Sequence, residues 1–120
     1  MDVLFQLGPL QVEAKFNQSS AAEIIHAALP LDSTVNCWGD EIYFEIPVKC
    51  PPEDETLDLK VGDIGYWPEG ACLCLFFGKT PVSVDDRPRP ASEVNLVGTF
   101  STPPDALRKV TSGTRVQVVR

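Results

Sequence analysis

Short segments of alternating apolar and polar residues run through most of this chain. Val12, Ala14 and Phe16 alternate with charged neighbours, and a period of two is typical of a strand with one buried face. The same pattern, or a short apolar run bounded by turn residues, recurs along the chain and predicts further strands. These later strands are expected at residues 34–38, 41–48, 64–67, 71–77, 94–100 and 115–119.

Two segments predict short helices. The first begins at a capping box formed by Ser20 and Glu23 and ends before Pro30, and the second comes before the last strand and presents Leu107 and Val110 to the core. The expected buried stripe of the first helix is Ala21, Ile24, Ile25 and Ala28. Together the segments predict a mainly β fold, an eight-stranded antiparallel barrel that is closed or nearly closed, with two short helices capping its ends.

The first ten residues admit two interpretations. Residues 3–9 resemble a protease-tag remnant with an extra leucine, whereas the spacing of Val3, Phe5 and Leu7 is that of one more strand. Both interpretations stay open at this point. In either case 120 residues are enough for a single domain over 1–120 with its own hydrophobic core.

Composition and charge limit the classes of partner that this chain is expected to bind. The net charge of -7 and the pI near 4.5 argue against nucleic acid, because phosphate binding depends on Lys and Arg. No apolar run approaches the roughly 20 residues that span a bilayer, and residues 1–10 lack the features of a secretory signal. We therefore expect a cytoplasmic protein with no membrane partner, and the sequence leaves its oligomeric state open.

The cysteines and the single histidine do not form a recognisable metal motif. No Cys-x-x-Cys pair occurs, and His26 lies off the apolar stripe of the first helix, so we expect no metal site and no cofactor. Cys72 and Cys74 share one face of a strand at a spacing too long for an easy disulfide. We expect all four thiols to be buried and reduced: Cys37, Cys50, Cys72 and Cys74.

Aromatic residues concentrate in the turn-rich stretches of the chain. Such side chains present an apolar ring with a polar tip, which suits a groove for a peptide or a small molecule. The alternative is that Trp38 and Trp67 only plug the ends of the barrel. A long loop over residues 79–93 could contribute a polar group to the groove. The candidate ligand-binding residues are Trp38, Asp40, Glu41, Tyr43, Tyr66, Trp67, Phe77 and Arg89.

Four motifs carry a resemblance to a known family. The stretches WGDEIYF (38–44), GDIGYWP (62–68), FFGKTP (76–81) and RPASEVN (89–95) are similar to an uncharacterised prokaryotic family of small cyclophilin-like proteins. The likeness extends over residues 11–120, and the order of elements also resembles cyclophilin. The resemblance implies a cyclophilin-like barrel and no settled activity.

The prolyl isomerases of the cyclophilin superfamily use an arginine and two glutamines that this chain lacks where the resemblance would place them. Residues 34–38 contain no arginine, residues 41–46 contain no glutamine, and Leu75 stands where Ser-Gln-Phe-Phe has its glutamine. Lowering a barrier of about 18–20 kcal/mol needs a donor aimed at the twisted amide. We expect ligand binding without efficient isomerase chemistry. The alternative is a peptidyl-prolyl isomerase with non-standard catalytic residues in which Arg89 supplies the cation. A structural or assembly role through the acidic residues 53–55 also stays open.

Overall fold

Nine antiparallel strands form one sheet in the computed structural model, which describes residues 1–120. In chain order the strands are β1 (Asp2–Leu7), β2 (Leu10–Phe16), β3 (Leu31–Thr34), β4 (Asn36–Cys37), β5 (Glu41–Glu45), β6 (Asp63–Trp67), β7 (Cys72–Phe76), β8 (Asn95–Phe100) and β9 (Arg115–Val119). Helix α1 (Ser20–Ala27) follows β2, and helix α2 (Pro104–Leu107) precedes β9. The order of the strands across the sheet is β3-β9-β1-β2-β8-β6-β7-β5-β4.

The sheet curls until its two ends almost meet. Strands β3 and β5 are in contact, and the Ser33 hydroxyl donates a hydrogen bond of 2.6 Å to the carbonyl oxygen of Glu45. The result is a nearly closed antiparallel barrel with two helices. The predicted architecture is therefore confirmed, with nine strands in place of eight.

Alternate residues of the strands fill the barrel interior. The ring of Phe5 is fully buried, and its centroid lies 6.2 Å from that of Phe44 and 6.4 Å from that of Phe16. Residues 2–7 pair with β2 on one side and with β9 on the other, so the N-terminal segment is a strand that contributes to the core. The interior also includes Val3, Leu7, Val12, Ile42, Ile64, Tyr66, Leu73, Leu75, Phe77, Val116 and Val118.

The ninth strand arises because two strands stand where one was predicted at residues 34–38: β3, which already begins at Leu31, and the short β4. β3 pairs with β9, and β4 pairs with β5, so the chain changes neighbours between them. Val35 is buried at this corner and exchanges backbone hydrogen bonds with Gly113 and Thr114. Downstream, the predicted strand at residues 41–48 ends at Glu45, because Pro47 has no N–H to continue the ladder.

Helix α1 is rotated relative to the prediction. Its cap is Ser19, whose hydroxyl accepts a hydrogen bond of 3.2 Å from the backbone N–H of Ala22, so the predicted cap at Ser20 is wrong by one residue. The residues that α1 buries are Ala21, Ala22 and Ile25. The predicted burial of Ile24 and Ala28 is wrong, since both are exposed and Ala28 lies just beyond the helix. No helix of the chain has the length and apolarity needed to cross a bilayer.

Three of the four cysteines are buried, as predicted, and all four are free thiols. Cys37 is exposed, and the prediction of a buried thiol is wrong there. The reason is its position on β4, an edge strand of only two residues with both side chains exposed.

Candidate functional site

A second, smaller hydrophobic cluster lies on the outer face of the sheet, where β5, β7 and β6 run side by side. Tyr43, Cys74 and Gly65 are directly opposite one another in these three strands. Since side chains alternate across a strand, Tyr43 and Cys74 point outward while their neighbours fill the barrel. The cluster consists of Leu59, Cys72, Cys74, Phe76 and Val94, with Tyr43, Trp67 and Leu96 packed against it.

A loop crosses this face and turns it into a pocket of about 270 Å³, which we call the aromatic pocket. Its walls come from the hairpin between β4 and β5, from β6 and β7, and from the long loop before β8. The lining residues are Trp38, Glu41, Tyr43, Trp67, Cys74, Pro90, Ala91 and Val94. No Arg or Lys is among them.

Side-chain hydrogen bonds hold the long loop over the sheet. The buried hydroxyl of Thr80 donates to the carbonyl oxygen of Arg89 over 2.5 Å, which closes the loop on itself. The indole N–H of Trp67 donates to the hydroxyl of Ser92 over 2.6 Å. These two bonds flank Pro90 and Ala91 in sequence and so fix the outer wall of the aromatic pocket.

The hairpin that carries Trp38 and Glu41 is equally constrained. These two residues exchange backbone hydrogen bonds of 2.9 and 3.2 Å around the tight turn Gly39–Asp40. Gly39 has φ +59°, and a Cβ there would lie 2.9 Å from the carbonyl oxygen of Lys79. Glycine is therefore required both for the turn and for its close approach to the long loop.

Glu41 is the one buried side chain whose polar atom lacks a partner. The residue is 6% exposed, its Oε1 accepts no hydrogen bond, and none of the salt bridges includes it. Burial raises the pKa of Glu41 to about 7, and the nearby Cys74 thiol offsets part of that effect. At neutral pH this carboxyl can therefore hold or release a proton.

The neighbouring thiols stay protonated. Burial, followed by the nearby carboxyl of Glu41, raises the pKa of Cys74 well above its usual value. Burial and then the charges of Glu45 and Glu41 raise the pKa of Cys72 to about 11. Because the thiolate is the nucleophile, neither cysteine is prepared for covalent catalysis.

The structure brings four of the eight predicted site residues together in the aromatic pocket, namely Trp38, Glu41, Tyr43 and Trp67. The strand alternation explains why two others lie elsewhere. Tyr66 and Phe77 point into the barrel, where the Tyr66 hydroxyl donates to the carbonyl oxygen of Val48 over 2.8 Å.

The two remaining candidates lie beside the pocket. The Asp40 carboxylate accepts hydrogen bonds of 3.0 and 3.2 Å from the Arg108 guanidinium, away from the lining residues. Arg89 lines a neighbouring groove with Asp58 and Arg87.

Sequence reasoning missed four lining residues, Cys74, Pro90, Ala91 and Val94. Cys74 could have been found, because it occupies the centre of a strand buried on both faces, opposite Tyr43. Pro90, Ala91 and Val94 lie in the motif RPASEVN, yet nothing in their types indicates that the loop folds back over β7.

Other parts of the surface are weaker candidates for a ligand site. A larger hollow of about 620 Å³ lies along β1 and β2, where the charges of Asp2 and Lys15 already pair over 2.8 Å. No three His, Cys, Asp or Glu side chains come together as a metal-binding group.

Comparison with known proteins identifies the family. The family model described as cyclophilin-like matches residues 1–119. The solution structure of the hypothetical protein AF2241 from Archaeoglobus fulgidus is 36% identical, with a TM-score of 0.84, covering 100% of this chain and 94% of that one. The curated proteins gave no match.

A second solved structure, of McbB in complex with tryptophan, is 16% identical with a TM-score of 0.74, covering 98% of this chain and 44% of that one. At this identity the likeness shows the fold alone. The family match and the archaeal structure confirm the resemblance seen in the four sequence motifs. The chain belongs to the cyclophilin-like family.

Proposed function

We propose that this domain binds a small organic molecule in the aromatic pocket without efficient isomerase chemistry. The observation that carries the proposal is the unpartnered Oε1 of Glu41 in a pocket walled by aromatic rings. A buried polar atom without a hydrogen bond costs about 1–3 kcal/mol, and a ligand donor would remove that cost. Apolar walls with a few convergent polar groups are the usual composition of small-molecule sites.

The size of the pocket favours a small ligand over an extended peptide. About 270 Å³ accommodates a ring with a short side chain, and the loop at Pro90 and Ala91 covers one side. A structural neighbour, McbB, was solved in complex with tryptophan, which is a ligand of this size.

The lining residues support binding more than proline isomerisation. Catalysis of that reaction is favoured by a donor that stabilises the twisted amide, and the pocket contains no guanidinium or ammonium group. Arg89, the candidate substitute, lies in the neighbouring groove.

Tryptophan fluorescence and thermal unfolding test the proposal directly, because both tryptophans line the pocket. We expect at least one single-ring compound from a panel bearing amine, hydroxyl or carboxylate groups to quench the emission saturably and raise the Tm. Ala91→Phe should abolish the response by filling the pocket, whereas Ala28→Phe, at the exposed position just after α1, should leave it intact. A panel that produces no saturable response with the unaltered protein would refute the proposal.

A further inference from the structure

The charge balance of the aromatic pocket is one-sided. Its one ionisable carboxyl, Glu41, is more than nine-tenths buried, and no basic side chain lies among the lining residues. Every acidic side chain that forms an ion pair does so with Lys or Arg at an exposed or partly exposed position, and Glu41 is not among them. An ionised Glu41 would therefore need its positive partner to come from outside the chain.

The remaining walls suit a positive charge. Trp38, Tyr43 and Trp67 supply three aromatic rings around the same cavity. The negative face of an aromatic ring attracts a cation, most strongly where water is excluded. An anion would meet the Glu41 carboxyl without compensation.

No neighbouring group competes for that role. Cys74 faces the pocket from β7 as a neutral thiol, and Cys72, also neutral, lies farther along β7 opposite Glu45. Glu45 on the same strand as Glu41 is exposed, and the covering loop contributes only apolar residues, Pro90, Ala91 and Val94. β6 contributes Trp67, whose indole N–H is already bound to a serine. The aromatic pocket therefore contains a hydrogen-bond acceptor, the Glu41 carboxyl, and aromatic rings, but no cationic side chain.

We infer that the ligand of the aromatic pocket is a small protonated amine attached to an apolar body, with Glu41 accepting its N–H and the three rings surrounding its charge. The inference rests on the proposed function, since it assigns a ligand class to the same pocket. It commits to a free amine, because the pocket volume fits a ring-sized molecule and the loop restricts access by a polypeptide.

Three probes of nearly equal shape test the inference. 2-Phenylethylamine is a cation, 2-phenylethanol is neutral and 3-phenylpropionate is an anion at neutral pH, and none absorbs where tryptophan is excited. We expect the amine to bind at least tenfold more tightly than the alcohol, and the propionate not to bind. Glu41→Gln should bring the amine down to the affinity of the alcohol, while Glu45→Gln, on the same strand but exposed, should change neither.

The pH dependence provides an independent readout. Because the pKa of Glu41 is about 7, its ionised fraction rises about tenfold between pH 6 and pH 8, from about one-tenth to about nine-tenths. The affinity for phenylethylamine should rise with it by up to about tenfold, and this dependence should vanish in Glu41→Gln.

The outcomes separate the two proposals. If none of the three probes binds and the wider panel also fails, the pocket does not bind small molecules and both proposals are wrong. If amine and alcohol bind equally, or the propionate binds best, the pocket binds ligands but the cation assignment is overturned. Tighter binding of a dimethyl-lysine peptide than of phenylethylamine would also overturn the assignment to a free amine.

Discussion

Glu41 is buried at a position where an ionised carboxylate is energetically costly, and this burial explains its raised pKa. Residue by residue along β5, Ile42 and Phe44 fill the barrel, so Glu41 and Tyr43 face outward under the covering loop. The period-two pattern is sufficient to place Tyr43 on the face opposite Ile42 and Phe44. The burial of the carboxyl could not be predicted, because it depends on a loop from a distant part of the chain.

The first prediction concerns the stability of Glu41→Gln. Between pH 4.5 and pH 7 the folded protein keeps Glu41 protonated, whereas the unfolded chain, in which the pKa is near 4.5, releases the proton. The contribution of Glu41 to the free energy of unfolding therefore falls as pH rises through this range. The full effect is about 3 kcal/mol. Glu41→Gln should match the unaltered protein at low pH and become more stable by up to that amount at pH 8.

Denaturant unfolding at several pH values measures this difference, with Glu45→Gln as the exposed control on the same strand. The quantity to follow is the difference in free energy of unfolding between Glu41→Gln and the unaltered protein as a function of pH. The other carboxyls titrate equally in both proteins, so their effects cancel in this difference. A difference that stays constant from pH 4 to pH 8 would show that Glu41 is not held protonated by burial.

The second prediction concerns the thiols. Cys37 is exposed on the edge strand β4, whereas Cys50, Cys72 and Cys74 are buried, with pKa values raised chiefly by that burial. A maleimide should label one thiol in the folded protein and four after denaturation, and Cys37→Ser should remove the fast reaction. Rapid labelling of a second thiol in the native state would contradict this assignment.

At the scale of elements, the aromatic pocket is formed by a hairpin, three strands and a loop. Short alternating segments predicted most strand positions. The corner at Val35 was missed because an apolar residue there continues the strand pattern, while its partners, Gly113 and Thr114, are remote in sequence. The offset of α1 has a similar origin, since Ser19 and Ser20 are equally good caps by type.

The third prediction tests the loop. Thr80→Val removes the hydroxyl that closes the loop onto the carbonyl oxygen of Arg89 and leaves that oxygen without this donor. We expect a loss of about 1–3 kcal/mol in the free energy of unfolding and a weaker affinity for pocket ligands. Thr99→Val, at an exposed position of β8, is the matched control. Equal stability of the two variants would show that this hydrogen bond does not hold the loop.

At the scale of the whole molecule, the barrel could be predicted and the pocket only in part. The period-two segments and the four motifs specify the fold, because they reflect local alternation and turn chemistry. The pocket depends on which aromatic residues the pleat turns outward, and Tyr66 shows the limit. It neighbours Trp67 in the motif GDIGYWP, yet it points into the barrel because adjacent residues of a strand face opposite sides.

The fourth prediction follows from the family. A cyclophilin-like barrel whose outer pocket contains no Arg or Lys should not accelerate proline isomerisation. A protease-coupled assay on proline peptides should give the uncatalysed rate for the unaltered protein and for Arg89→Ala alike. A clear acceleration that Arg89→Ala removes would instead support the isomerase alternative.

The most direct measurement is a titration of ¹⁵N-labelled protein with 2-phenylethylamine at pH 8, followed by NMR. The chain has only two tryptophans, so the spectrum should contain two indole N–H signals, from Trp38 and Trp67, and both side chains line the pocket. We predict that both signals shift together and saturate, and that neither shifts in Ala91→Phe. Indole signals that stay unmoved, or changes confined to residues along β1 and β2, would contradict a ligand site on the outer face of the barrel.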